Sequence, residues 1–456
     1  MYPTSRIVTL LLALALLLPA GAQARSGKLD RSFGEKGKVV RAVDLEADPY
    51  TTSKPMIAKL PEGRAVVLAG RTLLAFRADG RRYRIFGDGR VELFPPRGNS
   101  ILPTDVVADK GGRVIVGSTA SSAFEVYPDR LKKEVALARY LPWGTLDRSF
   151  GSDGDLLTGL GLPSPWFPPP PAQPYPPPPL APEVSLEGLA LDRQERIVLG
   201  GSYLAAIDGW CGGIRRGFVA RLLSGGEADP TFGEAGAANL SWSGGGGTPA
   251  VTRGGGVYAF HAPGFCKPSP SSLTRLDVNG QRVAEFGAEG VAWIEESAGR
   301  PISVAVDAEG RALLLTSDYH WAGVPPTTIV YRVQRNGELD PTFGSGGSVQ
   351  LGDESLEPTA LLVDHRGRIL VAGTSFRDRS RNSASSFLVA RLTARGQLDR
   401  SFGKAGMVET RFGRRAQPAA TDMKLTRGGK ILVAGTLTSP ALPGEQGIAM
   451  ARYLIR

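Results

Sequence analysis

Beyond the first two dozen residues, apolar positions in this chain come in short runs of about four to seven, separated by Gly, Asp and Asn. Helix-length periodicity of 3.6 residues is absent there. The stretch ending near Gly406 shows the pattern. Thr359 to Val363 is a first run, followed by the turn Asp364-His365-Arg366-Gly367. Arg368 to Ala372, Phe387 to Leu392 and Met407 to Thr410 are the second, third and fourth runs. Runs of this length, rich in Val, Ile and Leu and bounded by turn residues, predict β-strands.

The same phrases recur along the chain. GKLDRSFGEKG from Gly27 returns as GTLDRSFGSDG from Gly144, GEADPTFGEAG from Gly226, GQRVAEFGAEG from Gly280, GELDPTFGSGG from Gly337 and GQLDRSFGKAG from Gly396. A decayed copy, GRRYRIFGDG, starts at Gly80. The central Phe falls at 33, 86, 150, 232, 286, 343 and 402. Upstream lies a second phrase, strongest as GRILVAG from Gly367 and GKILVAG from Gly429. A third is an apolar run with an Arg, read as Arg77, Arg139, Arg221, Arg275, Arg332, Arg391 and Arg452. Four strands in each of seven units predict an all-β fold, a seven-bladed β-propeller of four-stranded blades. A parallel β-helix is the alternative, but its coils are shorter than these units. The chain opens on a signature and a fourth strand, Lys38 to Val40, and closes after a third strand. Pairing the N-terminal strand with the C-terminal blade would close the ring and remove two exposed sheet edges.

These phrases resemble the delta-60 repeat family, a bacterial repeat with the pattern G-x-LD-x-x-FG-x-x-G and an upstream GRILVAG-like strand. The resemblance runs from Lys28 to Arg456 and is sharpest around Phe33, Phe150, Phe343 and Phe402. It implies a propeller-like fold on an exported protein, and it transfers no biochemical activity to individual residues.

The repeated residues read as structural. The signature glycines allow a tight connection, the Phe packs between blades, and Asp30, Asp147, Asp229, Asp340 and Asp399 cap the turn or pair with the recurrent Arg. One or two carboxylates per loop are too few for a calcium site.

The N-terminus carries Arg6, an apolar run from Ile7 to Leu18 and an Ala22-Gln23-Ala24 end, which fit a secretory signal peptide over residues 1–24. The expected organisation is thus this peptide followed by one propeller domain over 25–456, with a periplasmic or extracellular location. Between blades lies a Pro-rich loop, 162–182, with 12 prolines, expected as polyproline II. It offers Trp166, Phe167 and Tyr175 to a partner. Cys211 and Cys266 occupy equivalent insertions of adjacent blades, so a disulfide between them is expected in an oxidising compartment.

Composition changes the picture little. Charged residues at 21% and apolar ones at 42% exclude a disordered chain, and 2 Cys exclude a disulfide-dense scaffold. The net charge of +10 suits an anionic partner, but part of it is the repeated Arg. The short basic clusters Arg377 to Arg381 and Arg411 to Arg415 lack the interleaved aromatics of a nucleic-acid surface. The only histidines are His261, His320 and His365, with no zinc-ligand spacing, nucleophile elbow or phosphate loop. No cofactor or metal is expected, and no integral membrane segment.

Aligning the first strands puts Lys54, Asp105, Glu187, Ser303, Glu357 and Asp422 at the axial mouth as candidate ligand contacts. The expected function is a non-catalytic, monomeric exported propeller, not an enzyme, that binds a protein or an anionic envelope polysaccharide on its loop-bearing face. The alternative is a propeller enzyme, a glycan lyase or hydrolase, acting at that mouth.

Overall fold

The computed structural model describes residues 26–43, 45, 54–93, 100–124, 127–158, 160, 183–206, 214–243, 245–262, 270–294, 299–317, 327–352, 356–377, 384–442, 444 and 446–455. These residues form seven antiparallel sheets. Their innermost strands touch one another in sequence around an axis, and the last touches the first. The fold is the expected all-β, seven-bladed propeller. We number the blades from the innermost strands: Met56–Lys59, Ser100–Ala108, Val184–Leu191, Ala250–Val251, Arg300–Val306, Leu356–Val363 and Gln417–Thr426. Blade 4 is irregular, because a second short strand, Gly245–Gly246, also pairs with Val257–Ala262.

Closure follows the predicted route. Lys38–Ala42 pairs with Gln446–Leu454 as the fourth strand of blade 7, Lys38 facing Ala451. Leu29 bridges Tyr453 just outside that ladder.

The core lies between blades. One apolar cluster joins Phe387, Val389 and Phe402 of blade 6 to Met423, Val433 and Tyr453 of blade 7. Another joins Phe33, Val39 and Met450 of blade 7 to Ile57, Val67 and Phe76 of blade 1. Every signature Phe is buried, at 2% exposure or less. Burial of one such ring contributes roughly 1.5–3 kcal/mol. The turn after it needs glycine. At Gly403 φ is +56°, and a Cβ would sit 2.1 Å from the Met407 carbonyl oxygen.

The recurrent Arg makes a node with the signature Asp in five blades. In blade 3, Arg221 Nε donates to Asp229 Oδ2 at 2.7 Å and Nη2 to Thr231 Oγ1 at 3.0 Å. Its Nη1 donates to the Val278 carbonyl of the next blade at 2.6 Å, and the guanidinium lies 4.6 Å from the Phe232 ring centroid. Arg139, Arg332 and Arg452 repeat the arrangement on Asp147, Asp340 and Asp30. Arg391 lies 2.9 Å from Asp399 and donates to the Ile455 carbonyl. The other oxygen of each Asp caps the turn, as Asp229 Oδ1 does for the Thr231 N–H. The Asp therefore does both jobs that the sequence suggests. Burial would raise these carboxyls. The hydrogen bonds and cations around Asp30, Asp147, Asp229, Asp340 and Asp399 outweigh it and hold all five below the usual range.

One expectation is corrected. Arg77 is not the blade 1 copy of this Arg. The Ala75 carbonyl accepts from Tyr83 N–H where the Arg452 carbonyl accepts from Asp30 N–H, so Ala75 holds the position. Arg64, just ahead of the neighbouring strand Ala65–Ala69, has its guanidinium 4.7 Å from the Tyr83 ring. Val114–Phe124 and Tyr127–Tyr140 extend blade 2 as a long hairpin.

Candidate functional site

The innermost strands line the axis and are less buried than the second and third strands. In blade 6 Leu362 and Val363 are half-buried, whereas Ser385–Leu392 is buried throughout. Five inner strands carry a β-bulge at the same place, next to Asp105, Gly188, Ser303, Ala360 and Asp422. The extra residue re-aims the side chains that follow. The predicted residues accordingly separate into different levels. Asp105, Ser303 and Asp422 share one register position, where blade 3 has Gly188 and blade 6 has Ala360. Glu187 is itself the bulged residue of blade 3. Glu357 is exposed near the start of its strand, and Lys54 is exposed ahead of Met56–Lys59. Ser303 is half-buried.

Asp105 and Asp422 are buried staples between blades. Asp422 accepts from Met423 N–H at 2.7 Å and from Ile57 N–H of blade 1 at 2.8 Å. Asp105 accepts from Val106 N–H at 2.8 Å and from Leu189 N–H of blade 3 at 2.8 Å. Thr119 and Thr374 do likewise for the N–H groups of Leu186 and Ala420. Lys424 Nζ sits 2.9 Å from Asp422 Oδ1. Desolvation would lower Lys424, but Asp422 and Asp105 hold it above its usual value. Burial pushes Asp105 up to about 6 against the pull of Lys424 and the Leu189 N–H, with Asp422 adding to the rise. Burial and the neighbouring Lys424 lower Lys59.

Glu187 belongs to a second cluster, nearer the end of the axis where the inner strands begin. Burial pushes it up to about 7, although a hydrogen bond from Ser202 and the charges of Arg215 and Arg300 pull it down. Arg215 is held in place. Its Nη2 donates to Ser185 Oγ at 2.9 Å, and its Nη1 lies 3.4 Å from Glu183 Oε2. A carboxyl balanced near neutrality between two guanidiniums can take or give a proton at physiological pH.

Sequence reasoning missed Lys59, Ser202, Arg215, Arg300 and Lys424. A signal existed for one: Arg215-Arg216 opens a third strand where blade 6 has Ser385-Ser386. Trp166, Phe167, Tyr175, Cys211 and Cys266 lie outside the described residues, as do residues 1–25. His261 is buried at a strand end and lowered to about 4 by that burial. Among the described residues no group of His, Cys, Asp or Glu converges as a metal site would require. No helix there is long and apolar enough to cross a membrane.

The chain is a β-propeller. A family model described as a domain of unknown function (DUF5122) beta-propeller matches residues 196–232 and 367–402. Both stretches run from the start of a second strand to the signature Phe. The match supports a propeller-repeat family and leaves the delta-60 assignment as a resemblance. No curated protein matches the chain. Among solved structures, the polysaccharide lyase Uly1 is similar over 95% of this chain and 97% of its own, with a TM-score of 0.50 and 9% identity. The PQQ-bound aldose sugar dehydrogenase from Streptomyces coelicolor is similar over 77% and 97%, with a TM-score of 0.43 and 12% identity. An ulvan lyase of polysaccharide lyase family PL25 is similar over 95% and 93%, with a TM-score of 0.38 and 9% identity. The likeness is one of fold. It corrects the expectation of a protein that is not an enzyme: a polysaccharide lyase is built on this fold, so the architecture gives no ground for a non-catalytic assignment.

Proposed function

We propose that the axial mouth performs β-elimination on a uronic-acid-containing polysaccharide, with Glu187 as the base. The observation that supports this reading is the balance at Glu187, a carboxyl raised to about 7 beside Ser202, Arg215 and Arg300. Elimination needs a base for the proton next to the uronate carboxylate and cations to hold the charge that develops on that carboxylate. Glu187 takes the C5 proton, the electron pair forms the C4=C5 bond, and the C4–O glycosidic bond breaks. The departing oxygen is protonated from the carboxylic acid just formed or from water. Arg215 and Arg300 hold the uronate carboxylate.

Hydrolysis is the weaker alternative. It calls for two cooperating carboxyls, yet Asp105 and Asp422 each accept two backbone N–H groups and Asp422 also holds Lys424. Of these three buried or half-buried carboxyls, Glu187 is the one not committed to backbone N–H groups.

The test is ultraviolet absorbance of unsaturated products from polygalacturonate, alginate and glucuronan. Glu187→Gln is expected to lower kcat by about 10²–10⁴-fold with an unchanged melting temperature, and Arg215→Ala to raise KM. Parent-like turnover by Glu187→Gln, or no unsaturated product from any uronate polymer, would refute the reading.

A further inference from the structure

A separate charged surface lies on the rim, at the seam of blades 6 and 7. The closing strand Lys38–Ala42 and the outermost strand of blade 6, Met407–Thr410, border a groove of about 1080 Å³. A second groove of about 670 Å³ flanks the other side of the closing strand. Lys28, Arg31, Lys36, Lys38 and Arg411 line the larger one. Its two acids are already engaged. Asp30 is bound by Arg452 and Lys430, and Glu409 accepts from Ser375 and Ser386. Lys28, Arg31, Lys36 and Arg411 are exposed and make no ion pair among the described residues. Lys38 donates to the Arg411 carbonyl at 2.6 Å and lies 5.6 Å from the Phe412 ring centroid.

The repeats supply an internal control. Lys28, Arg31 and Lys36 are the second, fifth and tenth residues of the blade 7 signature. The blade 3 copy has Glu227, Pro230 and Ala235 there, and the blade 5 copy has Glu338, Pro341 and Gly346. The fold therefore does not need the cations. Arg414 and Arg415, exposed in the connection that follows Met407–Thr410, add to the same seam. The signature loop lies on one face of the ring and that connection on the other. Positive charge thus runs along the rim from face to face, ending on the face where the inner strands begin.

We infer that this rim groove binds an extended anionic polysaccharide, its carboxylate or sulfate groups spaced along the closing strand. A concave strip of separated cations suits a chain of separated charges. Among the described residues its lining carries no exposed large apolar side chain that would anchor it in a lipid surface. The assignment deepens the uronate reading but does not stand on it, because binding here is measured without turnover.

The experiment is titration calorimetry of the parent and of the Lys28→Glu/Arg31→Glu/Arg411→Glu variant with polygalacturonate, dextran sulfate and neutral dextran, at low and high salt. The expected result is binding of the anionic polymers alone, weakened by salt, with Kd raised at least tenfold in the variant. Arg193→Glu/Arg253→Glu, which reverses exposed cations on blades 3 and 4, is expected to bind as the parent does. Equal binding of neutral dextran, an unchanged Kd in the rim variant, or an equal loss in the control variant overturns the inference. So does binding to phosphatidylglycerol vesicles without binding to either anionic polymer. Loss of turnover in Glu187→Gln with rim binding intact separates the two sites.

Discussion

The signature ring and the axis are built from the same seven repeats and use charge in opposite ways. In the ring, Arg221, Arg332 and Arg452 meet the same Asp, the same hydroxyl and the same neighbouring carbonyl in blade after blade. At the axis, equivalent positions hold Asp105, Gly188, Ser303, Ala360 and Asp422, and the charges lie where single blades depart from the pattern. Repetition marks what every blade must do to hold its neighbour. Departure from it marks what the molecule does once. Glu187 and the rim cations both belong to the second kind.

Four measurements sharpen or break that contrast. The largest effect is expected at a ring node. Arg391→Ala removes a buried cation and leaves Asp399 and the Ile455 carbonyl without it. It should cost about 3–5 kcal/mol in denaturant titration. Asp422→Ala, at the axis, strands the Ile57 N–H and Lys424 and should cost about 2–3 kcal/mol. A ring variant no more damaging than the axial one would break the ordering.

Acidity separates the two regions by sign. The ring Asp residues are held low, so their stabilisation is present above pH about 4 and disappears as pH falls below it. Asp105 is raised to about 6, so the folded state binds its proton more tightly than the unfolded chain does. Its stabilising share is present below pH about 4 and is lost as pH rises towards 6. Across that window the parent should lose about 2 kcal/mol relative to Asp105→Asn. A pH-independent difference between the two proteins would contradict the raised carboxyl. The smallest effect is at Arg77, which is exposed and outside the node. Arg77→Ala should shift stability by no more than about 0.5 kcal/mol.

The fold was legible because each blade repeats its turn chemistry. Gly406, Phe402 and Arg391 announce their roles through copies elsewhere, and the mismatched ends gave away the closing strand. Legibility failed where the register slipped. Arg77 imitates a repeat residue from two positions along, and only the Ala75–Tyr83 hydrogen bond shows which residue holds the place. The axial alignment slips in the same manner, by one residue, because Glu187 is the bulged residue of its strand and Asp105 the residue after the bulge. Arg215, Arg300 and Lys424 recur nowhere, and a pattern-based reading passes over them. Their importance comes from meeting in space, on strands that sequence spacing does not connect.

The pairing of Lys38–Ala42 with Gln446–Leu454 also sets an order of events in the life of the chain. The ion pair between Asp30 and Arg452 spans 422 positions. While the protein is being made, six blades can assemble as they emerge, but the seventh must wait. Through that interval an unpaired strand and an open blade edge remain exposed. The ring is thus most vulnerable to self-association and proteolysis just before completion, and its last strand works as the latch that ends that exposure.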